Sequence, residues 1–167
     1  MREPRQGLTI AKARTGLAAK IKDVLRLNAR VFLWAVGLNF LWEMAQAYAY
    51  TGMPPSTFSA TLMCGKASLV DGLFVLGIFW AGTVVFSRVD WIDRPGLPGY
   101  FLMTAAGVLI SAMVELNAVY HLGKWGYQRI MPQIPFLGVG ALPVLQMVLL
   151  PPVIFYLSCR RLAFREK

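Results

Sequence analysis

Residues 31–50 read VFLWAVGLNFLWEMAQAYAY, twenty residues with one formal charge, Glu43. A helix of that length rises about 30 Å, which matches the hydrocarbon core of a bilayer. The apolar residues do not alternate as a strand would require. In lipid a helix also satisfies its own backbone N–H and C=O groups. Three further runs of this kind follow at 67–87, 100–120 and 138–158. Together they predict an all-α membrane protein, a four-transmembrane-helix bundle over residues 31–158. Composition agrees: 57% of the residues are hydrophobic and 15% charged, against about 25% charged in a soluble domain.

The connections carry turn chemistry, with Gly52-Met53-Pro54-Pro55 after the first run, Arg94-Pro95-Gly96 before the third, and Met131-Pro132-Gln133-Ile134-Pro135 before the fourth. Basic residues orient the bundle. Eight of them precede the first run, Arg88 and Arg94 lie in the second connection, and Arg160, Arg161, Arg165 and Lys167 close the chain. Only Lys66, Lys124 and Arg129 fall on the other side. By the positive-inside rule both termini are expected in the cytoplasm, with the protein multi-pass in the cell (inner) membrane. The net charge of +9 is explained this way, and no nucleic-acid partner is expected because no basic face of a soluble module is visible. Residues 1–30 form a basic N-terminal segment and 159–167 a basic tail. Within the first, Leu8–Leu27 has the pattern of a basic amphipathic helix that either rests on the membrane surface or is solvated. The first apolar run begins behind this segment, so no cleavable signal peptide is expected. Cys64 and Cys159 fall on opposite sides of the membrane and are expected to remain thiols.

Of the eight acids, three fall inside apolar runs: Glu43, Asp71 and Glu115. A carboxyl in a membrane helix is costly and by default a functional candidate. Counting from the ends of the runs puts Glu43 about 10 Å, Asp71 about 6 Å, Glu115 about 8 Å and Gln146 about 12 Å from the outer end. Each helix thus contributes a polar group to nearly one layer. Asn39, Glu43 and Gln46 share a helix face through i, i+4, i+7 spacing, and Ser111 and Glu115 share another. Asn117, two residues on from Glu115, is expected to point elsewhere. Gly37, Gly72 and Ala112 are small residues suited to close helix packing. Lys66, Lys124, Arg129 and His121 are placed in outer loops as counter-charges.

The segment Tyr120–Arg129 mixes aromatics, glycines and cations. It reads either as a lid folded over the polar layer or as an aromatic loop in the headgroups. His121, Trp125 and Tyr127 are therefore candidate ligand-binding residues, beside Asn39, Gln46, Asn117 and Gln146. Glu43, Glu115 and Asp71 are the candidate catalytic groups. His121 is the lone histidine and no Glu-x-x-His spacing accompanies it, so neither a metal nor a cofactor is implied. Pro143, Pro151 and Pro152 predict a kinked fourth helix.

Several of these residues also carry a resemblance. Asn39-Phe40-Leu41-Trp42-Glu43-Met44-Ala45-Gln46, Asp71-Gly72, Glu115-x-Asn117, Gly123-Lys124-Trp125-Gly126-Tyr127, Met131-Pro132, Gly138-x-Gly140 and Pro143-x-x-Gln146 resemble a family of small bacterial four-helix integral membrane proteins, still uncharacterised. The likeness covers about residues 34–152 and implies the bundle but no activity. That family often has an aromatic after the glutamine, where Met147 stands here. More distantly, Gly123–Tyr127 and Leu142–Gln146 resemble the lycopene cyclase-type carotenoid membrane domain. Its acidic pair after the proline is absent, so the likeness does not imply cyclase chemistry.

Three functions fit the polar layer: a site that binds or acts on a lipid or isoprenoid-like molecule, a polar seam holding the helices of a structural or assembly subunit in a membrane complex, or a transporter or proton pathway. The layer stops short of the inner half of the first three runs, which argues against a pathway through a monomer. Three buried carboxyls are a costly way to obtain the modest energy of interhelical polar contacts, which favours the ligand site.

Overall fold

The computed structural model describes the backbone of residues 4–159 and side chains from residue 16 onward. Four helices dominate: α1 (Pro4–Gln46), α2 (Thr57–Phe86), α3 (Gly96–Leu116) and α4 (Ala141–Cys159). Each contains a segment long and apolar enough to cross a membrane. The fold is thus an all-α helical bundle, compatible with a multi-pass membrane protein. α1 packs against both α2 and α4, and α3 against α4, while α2 and α3 touch far less. The looser α2–α3 seam leaves room for a cavity.

Local chemistry moves several helix ends away from the apolar runs. α2 begins ten residues before Ala67, because Ser56 caps Thr57–Phe86 by accepting from the Ser59 N–H at 3.1 Å. Lys66 therefore sits inside a helix rather than in a loop. α3 starts at Gly96 and takes Pro98 into its first turn, where a missing N–H costs nothing. α4 starts at Ala141 rather than Gly138: Gly138 has φ +67°, and Gly140 is bridged to Gln133. Pro151 and Pro152 lie inside α4 without ending it.

α1 is a single helix of 43 residues, about 64 Å long. α1 has no break near residue 30, so the helix over Leu8–Leu27 runs on directly into the first apolar run. Leu17, Ile21 and Leu25 are exposed, and the side chains of residues 8–15, like the tail at 160–167, lie outside the described residues.

The core stripes run at helical spacing. α1 buries Leu27, Val31, Ala35 and Asn39, and α3 buries Gly99, Met103, Gly107, Ser111 and Glu115. One end of the bundle is plugged by Trp91, in the short turn Val89–Ile92. Its Nε1 donates to the Phe79 carbonyl at 3.0 Å, and its ring meets Phe86 and Phe155. Gly82 gives that ring its space, since a Cβ there would overlap the indole. Gly72 likewise admits Phe32 and Val36, whereas Gly37 faces open space and packs against nothing. The expectation that Gly37 mediates packing is thus corrected.

At the opposite end the chain folds back. α3 widens into a π turn at Asn117–His121, and the following segment forms β2 (Gly126–Tyr127). This strand pairs antiparallel with β1 (Tyr50–Thr51), matching Tyr50 to Tyr127 and Thr51 to Gly126. A two-residue ribbon thus ties the α3–α4 connection to the end of α1.

Candidate functional site

Beneath this ribbon lies a cavity of about 420 Å³, within the range of small-molecule sites. α1 contributes Glu43, the turn after it Ala47, α2 contributes Lys66, Val70, Asp71 and Phe74, α3 contributes Ile110, Ser111, Val114 and Glu115, and α4 contributes Pro143, Gln146 and Met147. Tyr50 adds to the wall from β1, and Asn117, Leu122, Lys124 and Trp125 from the turn and the folded-back loop. The three expected acids and Gln146 do converge, and the loop covers them. Asn117 lines the same cavity as Glu115, contrary to the expectation that it points elsewhere.

The polar residues divide into two groups by what they touch. The first is centred on Gln146, which is 2% exposed. Its Nε2 donates to Asn39 Oδ1 at 2.8 Å and to Asp71 Oδ2 at 3.1 Å. Its Oε1 accepts from Gln46 Nε2 at 2.9 Å. Gln46 also donates to Glu43 Oε1 at 3.0 Å and accepts from Trp42 Nε1 at 3.1 Å. Asn39 returns its own N–H to the Ala35 carbonyl at 2.8 Å. One amide thereby joins α1, α2 and α4. Asn39 and Gln46 stand behind the cavity wall rather than on it, so they support its carboxyls from behind.

The second group surrounds Glu115. Tyr127 Oη donates to Oε2 at 2.5 Å and Tyr50 Oη to Oε1 at 3.3 Å. Tyr50, Tyr127 and Trp125 also meet as rings, with centroids 5.9 Å and 6.2 Å from Tyr50. Burial, together with its bond to Glu115, pushes the Tyr127 phenol above its ordinary range, so it remains a donor. Glu115 thus pins the folded-back loop to α3. Tyr127 does this from outside the cavity lining, and His121 is exposed and not part of the wall. The ligand-binding expectation for His121 finds no place in this cavity.

Two polar atoms near the cavity lack partners. Buried serines elsewhere donate to the carbonyl four residues back, Ser68 to Cys64 at 2.7 Å and Ser158 to Ile154 at 2.7 Å. Ser111 is as buried, at 4% exposure, yet its Oγ has no hydrogen-bond partner. Trp125 Nε1 is also buried and has no well-aligned partner, although it stands close enough to the Glu115 carboxyl to interact with it. Buried polar groups are ordinarily paired, so the Ser111 hydroxyl is an exception on the cavity wall. In sequence Tyr50 carries no unusual signal, and Ser111 is marked only by sharing a face with Glu115, not as unpartnered. A serine in an apolar run reads as self-bonded, and Tyr50 reads as an interfacial anchor.

Among the described residues no three His, Cys, Asp or Glu side chains converge closely enough to hold a metal ion. No family model, curated protein or solved structure matches this chain.

Proposed function

We propose that this protein binds the polar head of a membrane amphiphile, a lipid or isoprenoid-like molecule, in the cavity beneath the β1–β2 ribbon. Glu43 and Asp71 are its acid/base pair, and Glu115 holds the loop that covers it. The observation that carries this reading is the wall itself: three carboxyls and a buried, unpartnered serine hydroxyl share one space with two lysines, two amides and a set of apolar side chains. Paired carboxyls of this kind can relay a proton to a bound head group. The charge asymmetry of the connections supports an orientation with both termini cytoplasmic and the cavity toward the outer face of the cell membrane.

A second reading has its own support. Gln146 satisfies partners on α1 and α2 at once, as a structural seam would. Under that reading the protein is an assembly subunit and the cavity is incidental.

Separate Glu43→Gln and Glu115→Gln variants decide between the two. Membrane assembly and the lipid and pigment profile of the cells are compared with wild type. Intact assembly with an altered profile supports the ligand site. Failed assembly with an unchanged profile supports the seam. If neither substitution changes assembly or profile, the ligand reading falls.

A further inference from the structure

The cavity has a charge pattern that narrows its ligand. Glu43 and Asp71 stand side by side on the wall, close enough to interact directly. Neither has a cationic partner: among the described residues the ion pairs are Arg26–Asp23 and Arg88–Asp90, both elsewhere. The cations of this cavity are at its edge. Lys66 and Lys124 are exposed, line the same space and form no ion pair among the described residues. On α2, Lys66 precedes Asp71 by five residues, about 7 Å along the axis. Negative groups inside and positive groups at the rim are complementary to a molecule with the reverse order of charge. Among the described residues these acids form no cluster of the kind that holds a metal ion, and two adjacent carboxyls suit an organic cation that donates hydrogen bonds.

We propose, building on the amphiphile reading above, that the cavity recognises a phosphate ester bearing a primary amine, the head chemistry of an aminophospholipid. The ammonium donates to Glu43 and Asp71. The phosphate lies against Lys66 and Lys124, beside Trp125 of the folded-back loop. Ser111 Oγ, buried in the same wall, bonds the ester or amine end. Val70, Phe74, Ile110 and Val114, where α2 and α3 separate, give the first acyl carbons an apolar path. An anionic head without an amine would set its charge against three carboxyls. A choline head would bring a cation with no N–H to donate.

The test uses the full-length protein in detergent micelles holding equal amounts of phosphatidylethanolamine, phosphatidylglycerol and phosphatidylcholine with matched chains. Native mass spectrometry reads which lipid is retained. The expected result is phosphatidylethanolamine in excess by about tenfold, the scale of one well-placed charged contact. Asp71→Asn and Lys66→Gln should each abolish most of that excess. Lys66 is exposed, so its variant tests the proposal even if the Asp71 variant fails to fold. Displacement of the lipid by soluble phosphoethanolamine supports the same chemistry drawn from an aqueous source. Preference for phosphatidylglycerol, or equal retention of the choline lipid, overturns the amine while leaving an amphiphile site standing. An excess that persists in Lys66→Gln and Asp71→Asn also overturns it. Retention of no lipid at all removes both readings.

Discussion

Gln146 shows how a single side chain can hold three helices and support a cavity wall. Replacing it with leucine leaves Asn39 Oδ1, Asp71 Oδ2 and a Gln46 N–H without their partner. A buried unsatisfied group costs about 1–3 kcal/mol, and interhelical bonds in membranes fall toward the lower end. Gln146→Leu should therefore destabilise the protein by about 1–3 kcal/mol in a denaturant titration from micelles, and a neutral result would mean the amide network carries no stability. Tyr127 makes a different prediction. Its phenol is held above its ordinary value, so its bond to Glu115 is fully present below about pH 10 and is lost as pH rises through the higher folded value. The ultraviolet difference titration between wild type and Tyr127→Phe should show the missing phenol ionising later than a free tyrosine; ionisation at the ordinary pH would contradict the bond. At this scale the sequence was readable where a residue was out of place. Glu43, Asp71, Glu115 and Gln146 stood out because polar groups are rare in apolar runs. Ser111 was legible only as a neighbour of Glu115 on one face, and Tyr50 not at all, since serine and tyrosine are common there and only their partners distinguish them.

Helix ends follow local chemistry that a hydropathy run averages away. Thr57–Lys66 contains two threonines, a serine and a lysine and so reads as a loop, but the Ser56 cap starts a helix through it. That shift is what places Lys66 on the cavity. The opposite case is α1, where a basic segment and an apolar run differ in composition yet share one unbroken helix, because nothing in between carries a breaker. Glycine roles are equally hidden until neighbours are known. At Gly107 a Cβ would overlap the Met147 carbonyl, a backbone atom that cannot rotate aside. At Gly37 nothing lies within 4 Å. Gly107→Ala should cost about 1–3 kcal/mol by forcing α3 from α4, while Gly37→Ala should be neutral or stabilising by up to about 1 kcal/mol through helix propensity. Thermal unfolding of the two variants side by side checks this, and equal melting temperatures would refute the close α3–α4 approach.

Over the whole molecule, the expected four-helix bundle was legible because length and apolarity alone require it in lipid. Its orientation rests on charge bias, so it is checked directly. Alkaline phosphatase fused after Lys167 should be inactive and fused after Gln128 active; the reverse pattern would turn the cavity toward the cytoplasm. The looseness between α2 and α3 was not legible, because it depends on which helices pair and not on any one of them. That looseness opens one end, while Trp91, Phe79 and Phe155 fill the other with side chains of 0–1% exposure. The plug has a consequence for any occupant. Packed side chains close the Trp91 end, so under the proposed ligand reading a molecule held beneath the β1–β2 ribbon leaves by the way it entered, and a head-group compound lodged there should displace the occupant rather than bind beside it.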